Sequence, residues 1–113
     1  MTIHGESDRY NNMPLSEEYR LAALQWVDLD AAARILESTK SAIVAQWVSD
    51  YGDMPISRAE ARVKSSDDYL RLVEDIENAR TKANKAKVQC EYLKMRFSEE
   101  IGRDANARAE RRL

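Results

Sequence analysis

The chain has 113 residues, with 18 Lys and Arg against 20 Asp and Glu, one Cys, one His, three Gly and two Pro. That length holds one domain at most, and the scarcity of turn-forming residues beside abundant Ala, Glu, Arg and Lys excludes a β-sandwich, a barrel or a disulfide scaffold. Only 7% of the residues are aromatic within a hydrophobic share of 43%, so the core has to be built from Ala, Leu, Val and Ile and has to be thin.

Charge is distributed unevenly. Residues 1–79 carry 8 basic and 15 acidic side chains, and residues 80–113 carry 10 basic and 5 acidic. Such asymmetry fits either a nucleic-acid surface or two helices that attract each other. No apolar stretch approaches the roughly 18 to 20 residues that cross a bilayer, and Met1–Met13 lacks the apolar centre of a leader. A soluble, cytoplasmic protein with no membrane partner is expected. Cys90, alone, makes no internal disulfide, in keeping with a reducing compartment.

Residues 1–15 mix Gly5, Asn11, Asn12 and Pro14 without apolar periodicity and read as an irregular arm ahead of a single helical domain over 16–113. Ser16 has the character of an N-cap, with Glu17 and Glu18 in the first turn where the helix dipole favours carboxylates. The helix predicted there runs from about Ser16 to Asp50 and stops at Gly52 and Pro55. Ser57 and Glu60 have capping-box spacing and predict a short connecting helix, with one continuous helix from Ser57 onward as the alternative. Ser66, followed by Asp67 and Asp68, predicts a second long helix to about Glu100. Gly102 is expected to weaken its end and leave Arg103–Leu113 frayed or separate.

The two long helices are predicted to be of equal length, each roughly 50 Å at about 1.5 Å per residue, and to form an antiparallel hairpin. In the later helix Tyr69, Leu72, Ile76, Ala79, Ala83, Ala86, Cys90, Leu93 and Phe97 recur at spacings of three and four, the seam of a coiled coil. The earlier helix offers Tyr19, Ala22, Trp26, Leu29, Ala33, Leu36, Lys40, Ile43, Trp47 and Asp50 on the same spacing, with Lys40 and Asp50 as polar exceptions. Setting large residues against small ones pairs Trp26 with Leu93, Leu36 with Ala83, Ile43 with Ile76 and Trp47 with Leu72. It also brings Asp30 near Lys87 and Glu37 near Arg80.

Second apolar rows remain. Leu24, Val27, Ala31, Ile35, Ala42 and Ala45 lie beside the first seam, and Val88, Tyr92 and Met95 lie opposite Cys90 and Phe97. Such rows need cover. Pairing of two hairpins into a four-helix bundle supplies it, so a homodimer is expected, with Leu24, Val27, Ile35, Val88, Tyr92 and Met95 as the interaction surface.

Little in the chain carries chemistry. His4 has no ligand-spaced neighbours, and Cys90 sits on the seam, where a thiol acts as a small hydrophobe. The pairs Asp28/Asp30, Asp67/Asp68 and Glu99/Glu100 diverge on a helix and make no converging acid pair. With no phosphate loop, nucleophile elbow or zinc motif, neither enzyme activity nor any cofactor or metal is expected. The basic run is the remaining feature. Arg80, Lys87 and Lys94 lie at one flank of the seam and Lys82 and Arg96 at the other, where coiled coils place charges to meet a partner helix; alternatively Lys82, Lys85 and Arg96, with Tyr92 to stack on a base, form a candidate single-stranded nucleic-acid surface.

Trp26-Val-Asp28, Ala31-Ala-Ala33, Leu36-Glu37, Arg58-Ala-Glu60, Lys64-Ser-Ser66, Ala86-Lys87-Val88 and Met95-Arg96-Phe97-Ser98-Glu99 resemble a family of small helical phage and prophage proteins of unknown function. The likeness spans about Tyr19 to Leu113. It implies a phage early region near recombination or replication genes, expressed in a bacterial cytoplasm. The function expected is therefore a non-enzymatic helical interaction or accessory protein that modulates phage or host DNA-processing machinery.

Overall fold

The structure, a computed structural model, describes residues 13–112. The expected arm over 1–15 falls mostly outside them, as does His4. Three helices follow one another: α1 over Leu15–Ser49, α2 over Ile56–Lys64 and α3 over Asp67–Arg112. No strand occurs among the described residues, so the fold is all-α.

Helix boundaries depart from expectation at two caps and at the far end of the last helix. At the start of α1 the Pro14 carbonyl accepts from Glu17 N–H at 3.0 Å and Glu18 N–H at 3.1 Å, which places Ser16 inside the first turn rather than at its cap. The Ser57–Glu60 capping box does not form either. Pro55, with φ −53° and ψ 138°, stands at the cap of α2, two residues ahead of Ser57, and offers no side-chain cap. Ser66 does cap α3: its Oγ accepts from Tyr69 N–H at 3.2 Å. The 46 residues of α3 then run unbroken through Gly102 to Arg112, against 35 in α1. Arg111 and Arg112 in its last turn oppose the negative end of the dipole, and the Ala, Arg and Glu residues around Gly102 offset its cost of about 1 kcal/mol.

The described residues form two compact units, Val27–Asn84 and the pairing of 13–26 with 85–112. Both units pair α1 with α3. In the first, Lys40 Nζ stands 5.6 Å from the Tyr69 ring centroid and Arg80 binds Glu37; in the second, Lys87 Nζ stands 5.8 Å from the Trp26 ring centroid. Later residues of α1 meet earlier residues of α3, so the helices are antiparallel. All nine seam positions of α3 from Tyr69 to Phe97 are buried or half-buried, as are those of α1 from Tyr19 to Trp47; Asp50 is exposed.

Among the described residues no large side chain is fully enclosed, and the deepest residues are Ala33, Ala83, Ala59 and Val63. Small residues at the seam let two backbones approach closely, which is how an Ala-rich sequence makes a core from two helices. The last two residues anchor α2, its inner face resting on Ala59 and Val63.

The register differs from the expected one. Arg80 does meet Glu37, as expected, but it also binds Asp30, whereas the size-matched register sets Arg80 opposite Thr39. Lys87, expected to reach Asp30, stands over Trp26 instead. Sliding one helix by a heptad keeps every seam position facing its partner, so periodicity fits either register. The observed one lies about a heptad from the expected one and is held by the charges.

Candidate docking surfaces

The strongest polar constellation is a clamp on the first unit. Arg80 donates from Nε and Nη2 to the two carboxylate oxygens of Glu37, at 2.8 and 2.7 Å, and from Nη1 to Asp30 Oδ1 at 2.7 Å. Asp30 Oδ2 also lies 2.9 Å from Arg34 Nη2. Hydrogen bonds from Arg80 are the main reason that the Asp30 and Glu37 carboxyls are held below their ordinary values, and the same bonds raise Arg80 further above its own. Charges locked in this way fix helix register; none is placed to move a proton near neutral pH.

A cleft of about 700 Å³ opens at the end of the same unit, between the last turns of α1, the connecting turn, and α2. Its α1 wall presents Ser41, Ala45 and Ser49 at spacings of four, small side chains that leave room beside the helix. Val44, Val48 and Met54 supply half-buried apolar floor, and Ile56 stands 71% exposed at the lip. Lys40, Glu60 and Lys64 give the rim its charge, and Tyr69 its aromatic edge. The turn that shapes this end depends on Gly52, whose φ of +66° follows the final bond from Gly52 N–H to Ser49 O at 3.1 Å. None of these cleft residues stands among the expected site residues. The signal that marks them is the small-residue spacing at Ser41, Ala45 and Ser49.

Every residue of the expected interaction surface is exposed: Leu24, Val27 and Ile35 on α1, and Val88, Tyr92 and Met95 on α3. The α1 row does not lie beside the seam, as expected, but on the face turned away from α3. Leu24 lies two residues from both Ala22 and Trp26, and at about 100° per residue that is the far side of the helix. Val88 and Met95 likewise lie two residues from seam positions. In the unit that holds Leu24 with Val88, Tyr92 and Met95, the two rows therefore face opposite ways and make no common patch.

The basic candidates are dispersed as well. Lys85, Tyr92 and Arg96 stand exposed on α3, with the Arg96 guanidinium carbon 5.9 Å from the Tyr92 ring centroid, so one face of that ring is already occupied. Lys82 belongs to the other unit, where it borders a hollow with Leu29, Asp75 and Ala79. Cys90 is free and buried. No cluster of three or more metal-ligating side chains occurs among the described residues, and none of the described helices is long and apolar enough to cross a membrane. Comparison with known protein families, characterised proteins and solved structures finds no match to this chain.

Proposed function

We propose that the protein is a non-enzymatic interaction protein that seats an apolar anchor of a partner protein in the cleft between α1 and α2. The cleft itself carries this reading. Its volume of about 700 Å³ falls in the range of pockets that recognise specific groups, and its apolar floor with a charged rim is the setting in which one buried side chain supplies much of the binding energy. The partner we propose is a phage or host DNA-processing protein in a bacterial cytoplasm, a setting that rests on the sequence resemblance alone.

Ala45→Arg tests the reading, because Ala45 is exposed on α1 and its replacement fills the cleft without opening the core. Partner capture from a host extract is expected to be lost with helicity unchanged, while Gln89→Arg on α3 retains it. Equal capture by Ala45→Arg, or no partner for the folded wild type, refutes the proposal.

A second reading, single-stranded nucleic-acid binding, is favoured by Lys85, which is exposed and makes no ion pair among the described residues. It predicts weak binding that falls steeply with salt and disappears when Lys82, Lys85 and Arg96 are all changed to Glu. No binding at about 50 mM salt removes it.

A further inference from the structure

We infer that the outward face of α3 over 85–99 pairs with the same face of a second copy of this chain, antiparallel, on a two-fold axis beside Tyr92. This goes beyond the proposed partner cleft and does not depend on it, because the cleft residues all belong to the other unit. Val88 lies two residues from both Ala86 and Cys90, and Met95 two from both Leu93 and Phe97, which sets them on the side of α3 opposite the seam. With Tyr92 between them they stand 65%, 61% and, for the tyrosine, 51% exposed. A two-fold axis perpendicular to two antiparallel helices reverses position along each helix and keeps each flank on its own side. Residues of one flank therefore meet residues of the same flank, one or two heptads away. Val88, four residues before Tyr92, meets Met95, three after it, so apolar meets apolar. On the other flank Gln89 meets Arg96, and no like charges are opposed. Lys85 and Glu99 lie seven residues before and after Tyr92, each within about 20° of its direction at 3.6 residues per turn. Base therefore meets acid at both ends of the patch, and Tyr92 meets its own copy at the centre.

Two features of the structure favour this pairing over other cover. The charges are available: no acid lies within four residues of Lys85 on α3, and neither Lys85 nor Glu99 makes an ion pair among the described residues. Arg96 and Arg103 stand three and four residues from Glu99 without pairing with it. Glu91 projects at the edge of the face, about 100° from Tyr92, with Lys87 and Lys94 four and three residues away on its own helix. The face also suits a second copy better than a phosphate backbone, since Glu91 and Glu99 stand on it and Arg96 already covers one side of the Tyr92 ring. Exposed ion pairs of this kind set register and orientation, while Val88, Tyr92 and Met95 supply the buried surface. The two copies meet through α3, and each keeps its α1 on the far side.

Sedimentation equilibrium over about 1 to 100 µM suits an interface of this modest size. The expected mass rises with concentration from 13.0 kDa toward twice that value. Tyr92→Glu, at an exposed position, is expected to keep the circular dichroism spectrum and remain monomeric throughout. Lys85→Glu and Glu99→Lys are each expected to weaken association about tenfold, because each opposes like charges at both symmetric contacts. Mixing the two single variants is expected to restore association, since in the mixed pair both contacts again join opposite charges. The two positions lie about 21 Å apart on their own helix at 1.5 Å per residue, so no contact within one chain gives this result. A single 13.0 kDa species at every concentration, whether or not it binds a single-stranded oligonucleotide, overturns the inference. So does a dimer that Tyr92→Glu leaves intact, or one abolished by Ile35→Glu instead, or a mixture that associates no more tightly than the separate variants.

Discussion

The assignment of inner and outer faces yields a paired experiment with identical chemistry at two sites. Ile76 on α3 is 9% exposed and Ile35 on α1 is 62% exposed, both in helix interiors of the same unit. Changing either to Ala removes three carbons, worth about 2.4 kcal/mol when all are buried at roughly 0.8 kcal/mol each. At Ile76 nearly all of that is lost and a cavity term is added. A two-helix core collapses readily, so the total belongs near the lower end of the 2 to 5 kcal/mol range. The better helix propensity of Ala returns about 0.4 kcal/mol, leaving a net loss of about 2 to 3 kcal/mol. At Ile35 about one-third of the transfer term applies, and after the same propensity gain the net change is about 0.5 kcal/mol or less. For a chain of this size the first loss lowers the melting temperature by roughly 8 to 12 °C and the second by about 2 °C or less. Thermal melts followed at 222 nm, repeated at two protein concentrations so that any contribution from self-association is visible, give both numbers. Equal losses at the two sites refute the packing of α1 on α3 through the seam.

Two further outcomes follow from the turn and the clamp. Gly52→Ala is expected to cost about 1 to 2 kcal/mol in thermal or urea unfolding, because no atom lies within 4 Å of the added Cβ and the loss comes from φ alone; Gly52→Asn is expected to lose less, and an unchanged midpoint contradicts the left-handed turn. Asp30 and Glu37 are held below their ordinary values by Arg80, so the folded state takes up their protons less readily than the unfolded chain. Their stabilisation is complete above the ordinary carboxylate range and is lost as pH falls below about 4 through the lowered values. The drop in urea midpoint from pH 7 to pH 3 is therefore expected to shrink in Arg80→Met, and an identical drop in both proteins refutes the clamp.

Much of this architecture is legible in the sequence because it depends on periodicity. The nine-position run from Tyr69 to Phe97 identifies the buried face of α3 without error, and Ser66 with Asp67 and Asp68 marks where that helix begins. Register is a different kind of information. A seam repeating every heptad is nearly unchanged by a slide of one heptad, and the choice falls to a few long side chains such as Arg80, whose reach no pattern of small and large residues encodes. The far end of α3 escapes for another reason. Gly102 is a local penalty, but helix formation is cooperative, and the good helix formers after it carry the helix through.

The cleft is legible only through departures from the pattern. Lys40 and Asp50 interrupt the seam of α1, and the structure gives each a separate use. Lys40 lies over Tyr69 at the rim of the cleft, and Asp50 accepts from Gln46 Nε2 at 3.1 Å where the helix has ended. Between them the small residues Ser41, Ala45 and Ser49 line the cleft, which α2 closes on its other side. Leu at seam position 40 would extend the apolar packing, and a large residue at 45, outside the seam, would fill the hollow. The polar breaks and small residues instead leave a space between α1 and α2, which is where the proposed partner side chain would sit. The residues that fit the heptad least well are thus the ones that give this end of the hairpin a surface to offer.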